Sequence, residues 1–329
     1  MRIFLPALDI GVIAFDEAIK ASDGKDRALL LANGFSIQHF SYKTLLEKSG
    51  LDTRGPLRTL FDTLDTVDFE VVIRALEDAA VVERVYNKVK RADLFLDDAD
   101  KVRRALVHAV REIHPGHRED IAKLIAPCIA FLSLFGKIFT LNYDLLLYWV
   151  ILENSKKFQD GFGLGEEGAG FLGPFKVGAH CNVFNLHGGL HLFRKSNDEV
   201  EKRLMGSSGV IDAIAETITR DKRLPVYVAE GNSTAKLARI YALPYLRHCY
   251  EILRACSGIF FVYGHSASHN DAHIYEAIFN SQIAHLYFCI HAPTSDIKAI
   301  DGELARYRKR YGSKIDYTLV DSETAKVWG

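Results

Sequence analysis

Four short stretches carry the residue types that hold and cut a charged small molecule. ALLLANGFS, residues 28–36, ends an apolar run on Asn33-Gly34-Phe35-Ser36. A small residue there lets backbone N–H groups approach a phosphate, and a following helix favours the anion through its dipole. KIFTLNYDLLLYWVILE, residues 137–153, sets Thr140, Asn142 and Asp144 at a strand-to-helix junction. Asp144 reads as the helix cap; one cap suffices, which leaves the Asn142 carboxamide for another task. NVFNLHGGLHLF, residues 182–193, places His187 at the end of a third apolar run. An imidazole with an intrinsic pKa near about 6.5 suits general-base work there, whereas His191 reads as structural. GIFFVYGHSASHNDAHIYEAI, residues 258–278, ends a fourth run on Gly264-His265-Ser266 and enters a helix near Asp271. Ser266 would reach a ribose or phosphate oxygen. Each stretch alone also fits a plain turn, cap or loop histidine. Together, four strand ends that all carry Gly, Ser, Asn, Asp or His describe a nucleotide crevice at one sheet edge.

The elements that must position them follow from the apolar pattern. Continuous apolar runs at 28–32, 137–141, 182–186, 258–263 and 286–290 read as strands buried on both faces, with weaker candidates at 225–229 and 315–320. Helical spacing falls between most of them, at 144–153, 210–220, 243–255, 271–280 and 296–310. Strand alternating with helix predicts an α/β, Rossmann-like, doubly wound and mostly parallel sheet. From about 55 to 130 the rhythm breaks into helical patterns alone, so the chain reads as one domain, residues 1–329, with an all-helical insertion. A helix is expected over 117–133, kinked or split by Pro127. Residues 161–173 hold six glycines in thirteen positions and read as a long loop; their GxGxG follows no strand and is no phosphate fingerprint.

Composition narrows the function. With 41 basic and 42 acidic residues there is no broad basic field for a nucleic-acid backbone. The five cysteines form no CxxC pair, which argues against a structural zinc site and for free thiols in a reducing compartment. No segment reaches the roughly 18 uninterrupted apolar residues of a membrane span, and the N-terminal stretch lacks the charge pattern of a secretion signal. The expected location is the cytoplasm.

The order of these motifs resembles the sirtuin superfamily, in particular its bacterial, defence-associated, NAD-consuming branch. Ala32-Asn33-Gly34-Phe35-Ser36 resembles the family's Gly-Ala-Gly-x-Ser phosphate loop. Thr140-Leu141-Asn142-Tyr143-Asp144 resembles Thr-x-Asn-Tyr-Asp of the non-deacetylase branch, and Leu186-His187-Gly188 the Leu-His-Gly motif of the catalytic histidine. Gly264-His265-Ser266 with Asp271 resembles the late segment that contacts the adenosine side. The paired CxxC zinc module of deacetylating members is absent, which points away from deacetylation.

The resemblance implies a sirtuin-like NADase in which NAD is the substrate and no metal takes part. Asn142 and His187 would be catalytic, Asn142 orienting the nicotinamide ribose or the attacking water and His187 acting as base. Asn33, Gly34, Phe35, Ser36, Asp144, Gly264, His265, Ser266 and Asp271 would bind the cofactor, with Gly34 and Ser36 on the pyrophosphate and Ser266 on the adenosine ribose. The products would be nicotinamide and ADP-ribose, or its cyclic form. The implied setting is anti-phage defence or toxicity, controlled by homo-oligomerisation or by a separate sensor or activator protein. Two readings stay open beside it: a non-catalytic module that senses NAD or ADP-ribose, and a protein deacylase or ADP-ribosyltransferase.

Overall fold

In the computed structural model, residues 11–36, 45–163, 170–204, 209–228, 232–291 and 297–329 are described. Eleven strands are found among them: β1 (Val12–Ala14), β2 (Arg27–Leu31), β3 (Lys137–Thr140), β4 (Phe171–Leu172), β5 (Val183–Asn185), β6 (Gly188–Arg194), β7 (Val200–Arg203), β8 (Pro225–Tyr227), β9 (Ser257–Tyr263), β10 (Gln282–Ile290) and β11 (Asp316–Asp321). Seven form one sheet in the order β1-β11-β10-β9-β2-β3-β5, and every neighbouring pair is parallel. Starting at β2 the chain moves outward through β3 to β5, then crosses back to β9 and moves outward through β10 to β11. This is the Rossmann order, with β1 added at the far edge. The expected α/β, mostly parallel fold is the observed one.

The five apolar runs are strands because both faces of the sheet are covered. Along β2, Leu29 and Leu31 enter one core cluster while Ala28 and Leu30 enter the other. Along β9, Phe261 faces the first and Phe260 and Val262 the second. Leu29, Leu30 and Leu31 are fully buried, and each such side chain contributes about 1.5–3 kcal/mol. The first cluster takes in the helices Pro56–Thr63, Phe69–Val85, Val89–Ile113, Ala122–Leu132, Leu146–Leu152 and Val210–Thr219; the second takes in Ser233–Ala242, Pro244–Arg254, Ala272–Phe279 and Ile297–Arg310. The stretch from Pro56 to Leu132 contains helices and a 3-10 turn and no strand, and it packs on one face of the sheet. Pro127 neither splits nor ends its helix: the break comes earlier, where the 3-10 turn Arg118–Ile121 gives way to Ala122–Leu132.

The sequence pattern did not show a second sheet. β4, β7, β6 and β8 pair antiparallel in that order. A parallel neighbour needs a crossover of about a dozen residues; β6 starts three residues after β5 and therefore leaves for a sheet of its own. Of residues 225–229, expected as a weak strand of the main sheet, Pro225–Tyr227 form β8 in this second one and 229 lies outside the described residues, while 315–320 fall in the main sheet as β11. Part of the glycine-rich stretch, 164–169, lies outside the described residues, as does the helix expected to run on beyond Ser36. The described end of that stretch is β4.

Candidate active site

Register brings the four motifs to one edge. Leu31 lies beside Thr140 on one side and Tyr263 on the other, and Thr140 lies beside Asn185. The residues that follow these four level positions open on a single cleft of about 820 Å³. Its walls include Asn33, Gly34, Asn142, Asp144, His187, Gly264, His265, Ser266 and Asp271. The cleft sits where β2 and β9 run side by side and their connections diverge to opposite sides, the switch point at which parallel sheets bind ligands.

The two glycines at that point hold the strand ends together. The Gly34 N–H donates to the Gly264 carbonyl at 2.8 Å, and the Ala32 N–H to the Tyr263 carbonyl at 2.9 Å. A Cβ on Gly34 would stand 2.5 Å from the Gly264 Cα, and one on Gly264, at φ +76°, 2.6 Å from the Gly34 Cα. Gly34 is therefore glycine because backbone meets backbone, and its N–H is already committed rather than aimed at a phosphate. Phe35 and Ser36 do not line the cleft. Phe35 packs against Trp328 with ring centroids 4.8 Å apart, and its carbonyl accepts the indole N–H at 2.6 Å. Ser36 is fully buried.

Ser36 works behind the wall. Its hydroxyl donates to Asp144 Oδ2 at 2.7 Å and accepts from Asn142 Nδ2 at 2.9 Å. Asn142 Nδ2 also donates to the Ala32 carbonyl at 3.2 Å, and the Asn142 N–H donates to Thr140 Oγ1 at 3.0 Å. These bonds fix which way the carboxamide points. They leave Asn142 Oδ1 as a buried acceptor without a partner among the described residues, and such a group is costly unless a ligand or water completes it. Asp144 accepts the Leu146 N–H at 2.8 Å from one position before the cap of the helix Leu146–Leu152; the N-cap is Leu145, not Asp144 as expected. Burial pushes its carboxyl up to about 6, against the hydrogen bonds from Ser36 and Leu146.

Histidines from beyond β5 and from beyond β9 come together over the cleft. His187 Nε2 lies 3.3 Å from His273 Nε2, with the rings stacked at 20°. His273 Nδ1 in turn meets Ser233 Oγ at 3.0 Å. Burial drives His187 down to about 3, opposed by the charge of Asp271, and drives His273 down to about 4. Both rings are neutral at pH 7. Asp271 accepts from Lys236 Nζ at 2.8 Å and from His265 Nε2 at 3.2 Å. The Ala267 N–H occupies His265 Nδ1 at 2.9 Å, which places that ring's proton on Nε2. Burial would raise the Asp271 carboxyl, but the His265 bond and the surrounding positive ends hold it well below the usual carboxylate range. Ser266 and Asn33 are exposed on the cleft wall.

Several residues of the site were not singled out in the sequence. His114, at the end of the long helix Val89–Ile113, accepts the Leu145 N–H on Nε2 at 2.8 Å and packs edge-on against Trp149. The helical stretch Pro56–Leu132 thus braces the start of the helix that follows Asn142. Lys236 lies on Ser233–Ala242, a helix not expected from the sequence, and His273 on a helix read only for its apolar spacing, although His273 falls inside the quoted fourth stretch. Ser322, Glu323, Lys326, Val327, Trp328 and Gly329 form a wall from the far end of the chain. No strand-end or spacing signal marks these residues; tertiary folding alone brings them in. His191, read as structural, is buried and stacks on Tyr148 at 4.5 Å. Among the described residues no helix is long and apolar enough to cross a membrane.

No curated protein matches this chain. Solved structures to which it is similar include a Sir2–p53 peptide–NAD+ complex (TM-score 0.40, 13% identity, covering 95% of this chain and 96% of the other). A Sir2 homologue–NAD complex (0.37, 14%, 92% and 96%) and Sir2Tm bound to a propionylated peptide (0.36, 11%, 90% and 98%) are also similar. At TM-scores of this size neither the site nor its chemistry rests on the likeness. The family profile described as a domain of unknown function, DUF4917, matches residues 29–328, from β2 to the C-terminal wall of the cleft. The chain belongs to the DUF4917 family.

Proposed function

We propose that this protein binds NAD in the cleft and cleaves the bond between nicotinamide and ribose. The observation that carries the proposal is the pairing of Asn142 and His187. They follow neighbouring strands, β3 and β5, and both line one cleft at the switch point of a Rossmann sheet. One offers a fixed carboxamide oxygen that has no partner among the described residues, and the other a neutral imidazole. The cleft volume lies in the range of cofactor pockets, about 300–1,000 Å³.

Nicotinamide leaves NAD as a neutral molecule and the ribose centre gains positive charge. Asn142 Oδ1 accepts a ribose hydroxyl or the attacking water and holds it in line. His187 takes a proton from that oxygen, and the negative Asp271 nearby stabilises the imidazolium formed. General-base help of this kind is worth about 10² to 10⁴ in rate. Asn33, Gly264, His265 and Ser266 would contact the rest of the dinucleotide; Ser36 and Asp144 act through Asn142. The motif resemblance alone supports the further parts of the reading: an anti-phage or toxin setting, a cytoplasmic location, and control by homo-oligomerisation or a separate activator.

Mass spectrometry of NAD incubated with the purified chain, with and without an acetyl-lysine peptide, tests this. Nicotinamide with ADP-ribose or cyclic ADP-ribose, formed without peptide, is the expected result. Bound but intact NAD would make the protein a sensor, and peptide-dependent release would make it a deacylase.

A further inference from the structure

His187, His273 and Asp271 each offer a ligand atom, and the three atoms lie within 4.8 Å of one another. This is the one such group of His, Cys, Asp or Glu among the described residues. We propose that these three side chains form a binding site for a divalent first-row transition ion of the zinc type, open on the cleft side.

The ring geometry carries the argument. Two imidazole nitrogens bound to one tetrahedral ion at about 2.0–2.1 Å stand about 3.3 Å apart, and the two Nε2 atoms here stand 3.3 Å apart without an ion. Two imidazoles and one carboxylate, with positions left for water, suit zinc, cobalt or iron and not magnesium or calcium. The outer contacts are those of a metal site as well. The far nitrogen of His273 is held by Ser233 Oγ, whose oxygen also takes the His273 backbone N–H at 2.8 Å. His265 and Lys236 orient the carboxylate of Asp271. A carboxylate has about four lone-pair sites, so these two bonds leave room for an ion.

Lys236 opposes the ion, because its ammonium cancels the one negative charge of the site. Occupancy takes the His187 lone pair. If His187 is the base for NAD cleavage, as proposed above, the metal-loaded form is the inactive one, and the ion acts as an inhibitor and not as a cofactor. Only that consequence rests on the NAD reading; the site itself does not.

The test titrates the full chain, without NAD, first with Co²⁺ read by absorption and then with Zn²⁺ by calorimetry. One equivalent of Co²⁺ should give tetrahedral d–d bands without a thiolate charge-transfer band, which excludes Cys289 in the same cleft. His273→Ala should weaken binding by at least about 10–100-fold and Ser233→Ala by about 10-fold. Lys236→Met should tighten it about 10-fold by removing the competing charge. Thermal melting of each variant identifies any that fails to fold, and Ser233→Ala and Lys236→Met carry the test if His273→Ala does fail. No stoichiometric metal in the parent protein, a sulfur band, or binding weakened by Lys236→Met would overturn the proposal. NAD cleavage, measured separately with a chelator present, can fail without touching this result.

Discussion

The two flanks of the cleft are built from different chemistry. On the β2–β3 flank, Asn142, Ser36 and Asp144 form one chain of hydrogen bonds with a single acceptor left over. Its donors and acceptors have fixed directions, and its charge is one buried carboxylate. On the other flank, His187 from beyond β5, His265, Asp271 and His273 from beyond β9, and Lys236 from the helix Ser233–Ala242 form a cluster in which protons and charge can be redistributed. The first flank is suited to holding a group in place, the second to taking a proton or a cation. A buried polar network is retained at a cost in desolvation, and its two halves should therefore fail in different ways.

The largest expected effects come from Asn142 and His187, which both line the cleft. His187→Ala and Asn142→Ala should each lower NAD cleavage by about 10² to 10⁴. NAD binding should change little in the first and more in the second, because only Asn142 holds substrate in the ground state. Equal loss of binding in both would erase the distinction between the flanks.

The next effect is on stability and belongs to Asp144. Its carboxyl titrates near 3.8 when unfolded and near about 6 when folded. Between these values the folded state keeps a proton that the unfolded state releases. The contribution is fully present below about pH 4 and is lost as pH rises through 6, a change on the order of 3 kcal/mol. Asp144→Asn should flatten that slope, as read by denaturant unfolding at pH 4, 5, 6 and 7. A slope unchanged by the substitution would mean that Asp144 is not the buried acid.

Gly34→Ala should cost about 1–3 kcal/mol, because the new methyl meets backbone that cannot yield. A melting temperature equal to that of the parent would show that the two strand ends can part. Ser36→Ala should be the mildest: about 1 kcal/mol from two lost hydrogen bonds, with NAD binding weakened in the same direction as, and less than, in Asn142→Ala.

Much of this was legible in the sequence for one reason. A strand buried on both faces must be apolar throughout, so β2, β3, β5, β9 and β10 stand out as runs, and the residues just past each run must lie at the sheet edge. That is how Asn142 and His187 could be placed together without coordinates. The short strands of the second sheet have no such signature: β6 opens on Gly188 and Gly189 and reads as a turn. The role of Gly34 was misassigned because a close phosphate and a close backbone make the same demand, the absence of a Cβ. Ser36 and Phe35 follow the same strand end but turn inward, a direction that spacing does not encode. His114, Lys236, His273 and the C-terminal wall arrive from distant segments, where helical spacing records only which face is buried.

The most direct test of the account is nicotinamide release measured beside NAD affinity, for the parent chain and for His187→Ala. The account predicts steady release by the parent, release reduced at least about 100-fold in the variant, and closely similar affinities for NAD. Undiminished release by His187→Ala, or no release by a parent chain that binds NAD, would contradict it.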